Sequence, residues 1–286
     1  NTSSAASDVY KRQIICFADT PFITKKTIKN LIRSVKNGND IALTSFKKNG
    51  KNSYGKIILS QDNKPIKINE DRNLKLDTLL CNGGIMALKS DIIFKLLSKI
   101  KPDNITKEYY LTEVVEIAAQ NDLKIDLINI EEQEILGVNS RKDLALAEKI
   151  IQTKLRHFFL NQGVTLIDPE TNYFSYDTII KKDVTIFPNV FIGEGVIIGD
   201  NVKIQNNVSV YSGVNIKKNV FVGPSVVFTN ILEPRSFISQ KKKYVKTIID
   251  EGASLGANST IICGIKIGKF SLVGAGTVCV KSVKSY

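Results

Sequence analysis

From residue 184 onward an apolar side chain returns at every sixth position: Val184, Val190, Val196, Val202, Val208, Val214, Val220 and Val226. Two residues after each stands a second one: Ile186, Ile192, Ile198, Ile204, Val210, Ile216, Val222 and Phe228. A period of six fits neither the 3.6 of a helix nor the alternation of a half-buried strand. It predicts short flat strands joined by corners, three to a triangular coil, with the second-position residues stacked inside. Glycine follows the second position at Gly193, Gly199 and Gly223, and glycine or asparagine is expected to take the corner conformations. The repeat resumes at Ile249, Leu255, Ile261, Ile267, Val273 and Cys279. Phe228 and Ile249 are 21 positions apart, three units plus three, so a loop must leave the coil between them. Residues 229–247 form that loop, which carries Pro234, Arg235 and three lysines at 241–243.

Before the repeat the pattern is different. The apolar run Ile14-Ile15-Cys16-Phe17-Ala18, closed by Asp19-Thr20-Pro21, predicts a strand buried on both faces in a parallel sheet. Thr24 caps a helix running to residue 35, and 41–46 reads as the next strand. Helices at 90–99 and 111–120 and a strand at 125–130 complete an α/β order. Over 141–159 the apolar residues Leu144, Ala147, Ile151, Leu155 and Phe158 fall on one helical face, forming an arm between two domains. The expected division is an unstructured or non-native segment at 1–12, an α/β domain at 13–140, a linker helix at 141–160 and a β-helix at 161–286.

The 286 residues, 43% hydrophobic and 24% charged, suit two globular domains. The net charge of +12 would suggest nucleic acid if it were concentrated, but it is divided between both halves, with no interleaved aromatic and basic residues. A mild positive field suits small phosphorylated substrates, and no nucleic-acid partner is expected. Cys16, Cys81, Cys263 and Cys279 show no C-x-x-C spacing and read as buried free thiols of a reducing cytoplasm. No apolar run approaches the ~18 residues of a membrane span and no signal peptide is visible, so the protein is expected to be cytoplasmic. The one histidine, His157, lies on the linker helix, where a solvated or packed role is expected.

Several motifs in order resemble the uridylyltransferase domain of the bifunctional N-acetylglucosamine-1-phosphate uridylyltransferase/glucosamine-1-phosphate acetyltransferase family. They are Ala18-Asp19-Thr20-Pro21-Phe22, Tyr54-Gly55, Cys81-Asn82-Gly83-Gly84-Ile85, Glu108-Tyr109-Tyr110-Leu111-Thr112-Glu113 and Gly137-Val138-Asn139-Ser140-Arg141. The resemblance covers about residues 14–205 and implies attack of a sugar 1-phosphate on the α-phosphorus of UTP, with a metal ion neutralising charge. It implies Asp19 and Asn139 as Mg²⁺ ligands, hard oxygen donors suited to that cation. It places Gly55, Glu70, Asn82, Tyr109 and Thr112 around the N-acetylamino sugar. That family opens with a Gly-rich loop and a Pro-Lys pair, and nothing of that form occurs here. The N-terminal domain is therefore expected to be partial, with its uridylyl transfer lost.

From about residue 201 the sequence instead resembles UDP-amino-sugar N-acetyltransferases that acylate a 3-amino group on a UDP-linked uronic acid. The matching stretches are residues 202–211, Phe228-Thr229-Asn230, Pro234-Arg235-Ser236 and Gly252-Ala253-Ser254-Leu255-Gly256-Ala257-Asn258. No histidine lies in this part, and an amine needs less activation than a hydroxyl. Asn230 and Arg235, on or beside the extruded loop, are the candidates for orienting the sugar and its carboxylate. Gly256, Ala257, Gly274 and Ala275 are expected to line an acetyl-CoA groove, and the resemblance implies a homotrimer with sites between subunits.

The fold implied is an α/β nucleotidyltransferase (Rossmann-like) partial domain followed by a left-handed parallel β-helix, its hand taken from the resemblance. Three readings stay open: a nucleotide-sugar enzyme whose acetyl-CoA-dependent coil acts on an amino sugar or UDP-sugar, a uridylyltransferase, and a catalytically incomplete fragment or chimera whose β-helix only trimerises. A natural fusion and an artificial joining at the shared Asn-Val-x-Ile-x-Asn coil would give the same sequence.

Overall fold

The computed structural model describes residues 11–50, 52, 54–70, 78–103, 107–239 and 244–286. Residues 1–10 of the segment expected to be unstructured, and the three lysines at 241–243, lie outside them. The chain divides into two compact units, Asn1–Leu144 and Ala145–Tyr286.

In the first unit alternate residues of strand β2 (Ile41–Asn49) face opposite sides of the sheet, as a period of two requires. Ala42 and Phe46 pack with Leu31 and Val35 of helix α1 (Lys25–Lys36). Ile41 and Leu43 pack instead with Ile93 and Leu96 of α2 (Ser90–Leu97) and with Val114, Val115 and Ala118 of α3 (Glu113–Gln120). Thr24 caps α1 by accepting the Thr27 N–H at 3.1 Å. The remaining strands are β1 (Arg12–Ile15), β3 (Lys56–Leu59), β4 (Pro65–Asn69), β5 (Thr78–Lys89) and β6 (Ile125–Asn129). Their order is β4-β3-β5-β2-β6, with β1 also paired to β5.

Two expectations fail here. The sheet is mixed: β2 and β6 run parallel, but β1, β2 and β3 all pair antiparallel with β5. The first strand is short and half-exposed, ending at Ile15, so Cys16 is an exposed thiol and Phe17 is 58% exposed. Cys81, Cys263 and Cys279 are buried.

The second unit is a parallel β-helix. Its strands form faces of six, six and five among the described residues, starting at Thr165–Leu166, one coil earlier than the repeating valines reveal. Val184, Ile186, Val196, Ile198, Ile204, Val208, Val210, Ile216 and Val222 are all fully buried in one stack. The corners need two different residue types, and the simple expectation merged them. Positive φ falls on the residue just before each repeating valine: Asp183, Asn189, Gly195, Asn201, Asn207, Gly213, Asn219 and Ser225. Gly193, Gly199 and Gly223 serve another purpose, close approach between coils. A Cβ on Gly223 would lie 2.6 Å from the Leu255 carbonyl oxygen of the next coil.

Helix α4 (Arg141–Asn161) is also not the simple arm its apolar stripe predicted. Leu144 and Phe158 are more than half exposed, whereas Gln152, Leu155, Arg156 and Phe159 are buried. The reason is polar. Gln152 donates to the Phe174 carbonyl at 2.8 Å and accepts the Phe174 N–H at 3.0 Å, completing the first coil's edge as another strand would. Arg156 donates to the Asn172 carbonyl at 3.1 Å, and Phe159 packs on Phe174 with ring centroids 4.9 Å apart. Gln152→Leu leaves a buried N–H and C=O without partners and is expected to cost about 2–5 kcal/mol. Urea unfolding checks this, with a lowered midpoint at unchanged slope.

Candidate functional site

The partners of strand β5 change along one edge, and the candidate residues of the first unit gather where they do. β1 pairs with residues Met86 to Lys89, and β3 reaches no further back than Cys81. On the other edge the register against β2 slips between Leu43 and Ser45, a bulge at 83–85. Thr44 fills the break: its hydroxyl accepts the Ile85 N–H at 3.1 Å and donates to the Ile85 carbonyl at 2.9 Å. Gly84 has φ +72°, and the Phe17 ring lies over it. Asn82 enters this bulge with its Oδ1 accepting the Gly84 N–H at 2.9 Å.

Register then gathers three of the five residues assigned to the sugar. Lys56 stands opposite both Asn69 and Cys81, so the next row in an antiparallel ladder is Gly55, Glu70 and Asn82. The Asn82 N–H donates to the Gly55 carbonyl at 2.8 Å. A Cβ on Gly55 would lie 2.9 Å from both carboxylate oxygens of Glu70, so glycine makes room for that carboxylate. Tyr109, 68% exposed, and Thr112, at the start of α3, are not bonded to this row among the described residues.

The two residues assigned to magnesium also meet. The Val138 N–H donates to the Asp19 carbonyl at 2.8 Å. The position a Cβ would take on Gly137 is 3.2 Å from Asp19 Oδ2 and 3.3 Å from Asn139 Nδ2. Asn139 is held at the start of α4, its N–H donating to Asp143 at 3.2 Å, while Ser140 and Asp143 cap that helix. Hydrogen bonds from Ser140 and Asn139 hold the Asp143 carboxyl below its usual range. Among the described residues no group of three or more His, Cys, Asp and Glu is arranged to hold a metal. One carboxylate and one amide suffice for Mg²⁺ when substrate phosphates and water supply the rest.

In the second unit the extruded segment leaves after Val227–Phe228 and returns at Thr247–Ile249. Its base is closed: the Val245 N–H donates to the Asn230 carbonyl at 3.1 Å, and the Thr229 hydroxyl accepts the Cys263 N–H at 2.9 Å. The Asn230 carboxamide has no partner among the described residues and is half-buried. Arg235 is exposed, donating to the Pro234 carbonyl at 2.9 Å. Gly256, Ala257, Gly274 and Ala275 occupy one corner of successive coils, where a Cβ on Gly256 would lie 2.5 Å from the Ala275 nitrogen. That corner is a strip of backbone without side chains beyond a methyl.

Sequence reasoning missed Thr44, Lys56 and the Tyr54–Glu132–Lys48 cluster, which hold the β5 bulge and the two neighbours of Gly55 in place. The pair Tyr54-Gly55 was the one signal pointing there.

The bacterial transferase hexapeptide (six repeats) family matches residues 177–212, and the hexapeptide repeat of succinyl-transferase matches 246–279. The chain is 40% identical over 180 residues to the bifunctional protein GlmU of Gluconobacter oxydans, covering 62% of this chain and 40% of that protein. It is 29% identical over 322 positions to GlmU of Paramagnetospirillum magneticum, covering 94% of this chain and 71% of that protein. Several such relatives are matched over only about 40% of their own length. Among solved structures, the acetyltransferase domain of PglB from Neisseria gonorrhoeae aligns with TM-score 0.36 and 14% identity, covering 58% of this chain and 69% of that one. The CMP:2-keto-3-deoxy-manno-octonic acid synthetase aligns with TM-score 0.38 and 13% identity, covering 50% and 63%. The chain is thus similar to GlmU proteins in sequence, and its second unit carries bacterial transferase hexapeptide repeats.

Proposed function

We propose that this chain is a nucleotide-sugar enzyme whose β-helix transfers an acetyl group from acetyl-CoA to an amino sugar carried on UDP. Two observations carry the reading: a half-buried carboxamide at Asn230 with no partner among the described residues, and a bare-backbone corner at Gly256, Ala257, Gly274 and Ala275 on successive coils. Small residues let a pantetheine arm lie against the backbone. The carboxamide can orient both the attacking amine and the thioester carbonyl, and the amine attacks once deprotonated. Its nitrogen forms the new amide bond, the C–S bond breaks, and CoA leaves as the thiol.

The first unit is read as the sugar-phosphate half of a nucleotidyltransferase site. The row of Gly55, Glu70 and Asn82 would face the N-acetylamino sugar, with Tyr109 and Thr112 closing on it. Asp19 and Asn139 would hold Mg²⁺, which when bound neutralises phosphate charge. UTP-dependent release of pyrophosphate, lost in Asp19→Ala, tests that half separately.

We place the activity in the cytoplasm and the active form as a homotrimer. Supporting the trimer, the face carrying Tyr173, Tyr211, Val278 and Val280 leaves each of these 39% or more exposed, and apolar strips on a β-helix call for a partner. Light scattering at micromolar concentration checks it, and a monomer would remove the interface on which the acetyl site depends. Arg235→Ala is expected to raise the acceptor's KM about tenfold with kcat little changed, because a guanidinium pairs with a carboxylate present in both ground and transition states. Initial rates against acceptor concentration check this.

A further inference from the structure

Lys56 is 1% exposed, and among the described residues no carboxylate pairs with it. A buried ammonium is costly unless its three donors are met. Here they are met entirely by Asn52 and Tyr54: Nζ donates to Asn52 Oδ1 at 2.7 Å, to the Asn52 carbonyl at 3.2 Å and to the Tyr54 carbonyl. Asn52 Oδ1 is a hub, also accepting the Tyr54 N–H at 3.2 Å and the Cys81 thiol at 3.6 Å. Burial pushes the Cys81 thiol up, with the Lys56 charge opposing, so the thiol stays a neutral donor to that hub.

The Tyr54 side chain is fixed as well. The Tyr54 ring meets Phe46 edge-on with centroids 5.0 Å apart, and its hydroxyl donates to Glu132 Oε1 at 3.2 Å. Lys48 pairs with that carboxylate and lies 5.3 Å from the Tyr54 ring centroid. Gly55 is therefore held between two anchored neighbours, and its carbonyl is the acceptor that fixes the Asn82 backbone. Nothing in the packing of a strand paired on both sides requires a cation there. A methionine would fill the same space.

We propose that Lys56 is a positioning residue. Its buried ammonium holds Asn52 and Tyr54 in the one arrangement in which Gly55, Glu70 and Asn82 present a single row to an N-acetylamino sugar 1-phosphate. The inference rests on the sugar-binding reading of that row given above.

The test is calorimetric titration of the full chain with N-acetylglucosamine 1-phosphate, with hydrogen exchange followed over residues 80–85. Lys56→Met should weaken binding about tenfold or more, the loss of a charge-assisted hydrogen bond. It should also speed exchange at the Asn82 amide. Lys56→Arg, which keeps the donors, should restore most of the affinity, and Asn52→Ala should reproduce the loss if Lys56→Met does not fold. Acetyl transfer should be unchanged in all three. Wild-type affinity in Lys56→Met, or weakened binding with Asn82 exchange unaltered, overturns the positioning role alone. No binding by the wild-type chain overturns the sugar-binding reading and this inference with it.

Discussion

Asn230→Ala is expected to lower kcat for acetyl transfer by about 10²-fold or more, the usual loss when one oriented donor at a developing oxyanion is removed. The structure sharpens the reason. The Asn230 backbone is already committed, its carbonyl closing the loop on Val245, so the main chain should stay in place when the side chain is cut back. The carboxamide itself has no partner among the described residues, so alanine leaves no orphaned group and the fold should survive. His157→Ala, on an exposed position of α4, should keep full turnover. Steady-state rates for the two variants, beside unchanged thermal unfolding, check the pair. Loss of activity in His157→Ala with Asn230→Ala unaffected would move the site away from the loop.

A second large effect concerns the coil. Gly223→Ala is expected to destabilise by about 2–3 kcal/mol, although alanine ordinarily stabilises relative to glycine by restricting the unfolded chain. Its Cβ would meet the Leu255 carbonyl oxygen at 2.6 Å and the Ala257 nitrogen at 2.9 Å, both backbone atoms of the next coil that cannot turn aside. Gly195→Asn should by contrast be nearly neutral. Gly195 has φ +63° with nothing within 4 Å of its Cβ position, and asparagine already occupies the equivalent corner at 189, 201, 207 and 219. Denaturant midpoints for the two variants separate the steric role of one glycine set from the conformational role of the other.

The coil was legible because its period is enforced by every turn of the structure. Each Val and each second apolar residue must be buried for the next coil to stack, so the pattern survives in a single sequence. The loop position followed by arithmetic from the same period. The α/β unit was harder. Its helices and the strand at 41–46 could be read from capping and runs of apolar residues, but β3, β4 and β5 could not, because β5 carries a Gly-Gly bulge and β4 begins with proline. Thr44 and Lys56 were invisible for a related reason: a polar residue in a strand looks solvent-facing until the ladder it repairs, or the pair of residues it holds, is known. The stripe on α4 misled in the same way, since Gln152 and Arg156 earn burial by bonding to backbone that lies more than ten residues away in sequence.

The most direct test of the central claim is to incubate the purified chain with acetyl-CoA and a UDP-linked 3-amino sugar and to weigh the sugar by mass spectrometry. Product mass is preferable to a thiol reagent alone, because the exposed Cys16 would itself react. The expected result is a sugar heavier by one acetyl group, formed with release of CoA and lost in Asn230→Ala. Acetyl-CoA left intact and a sugar of unchanged mass, from a chain shown to be folded and trimeric, would contradict the assignment of the β-helix as an acetyltransferase.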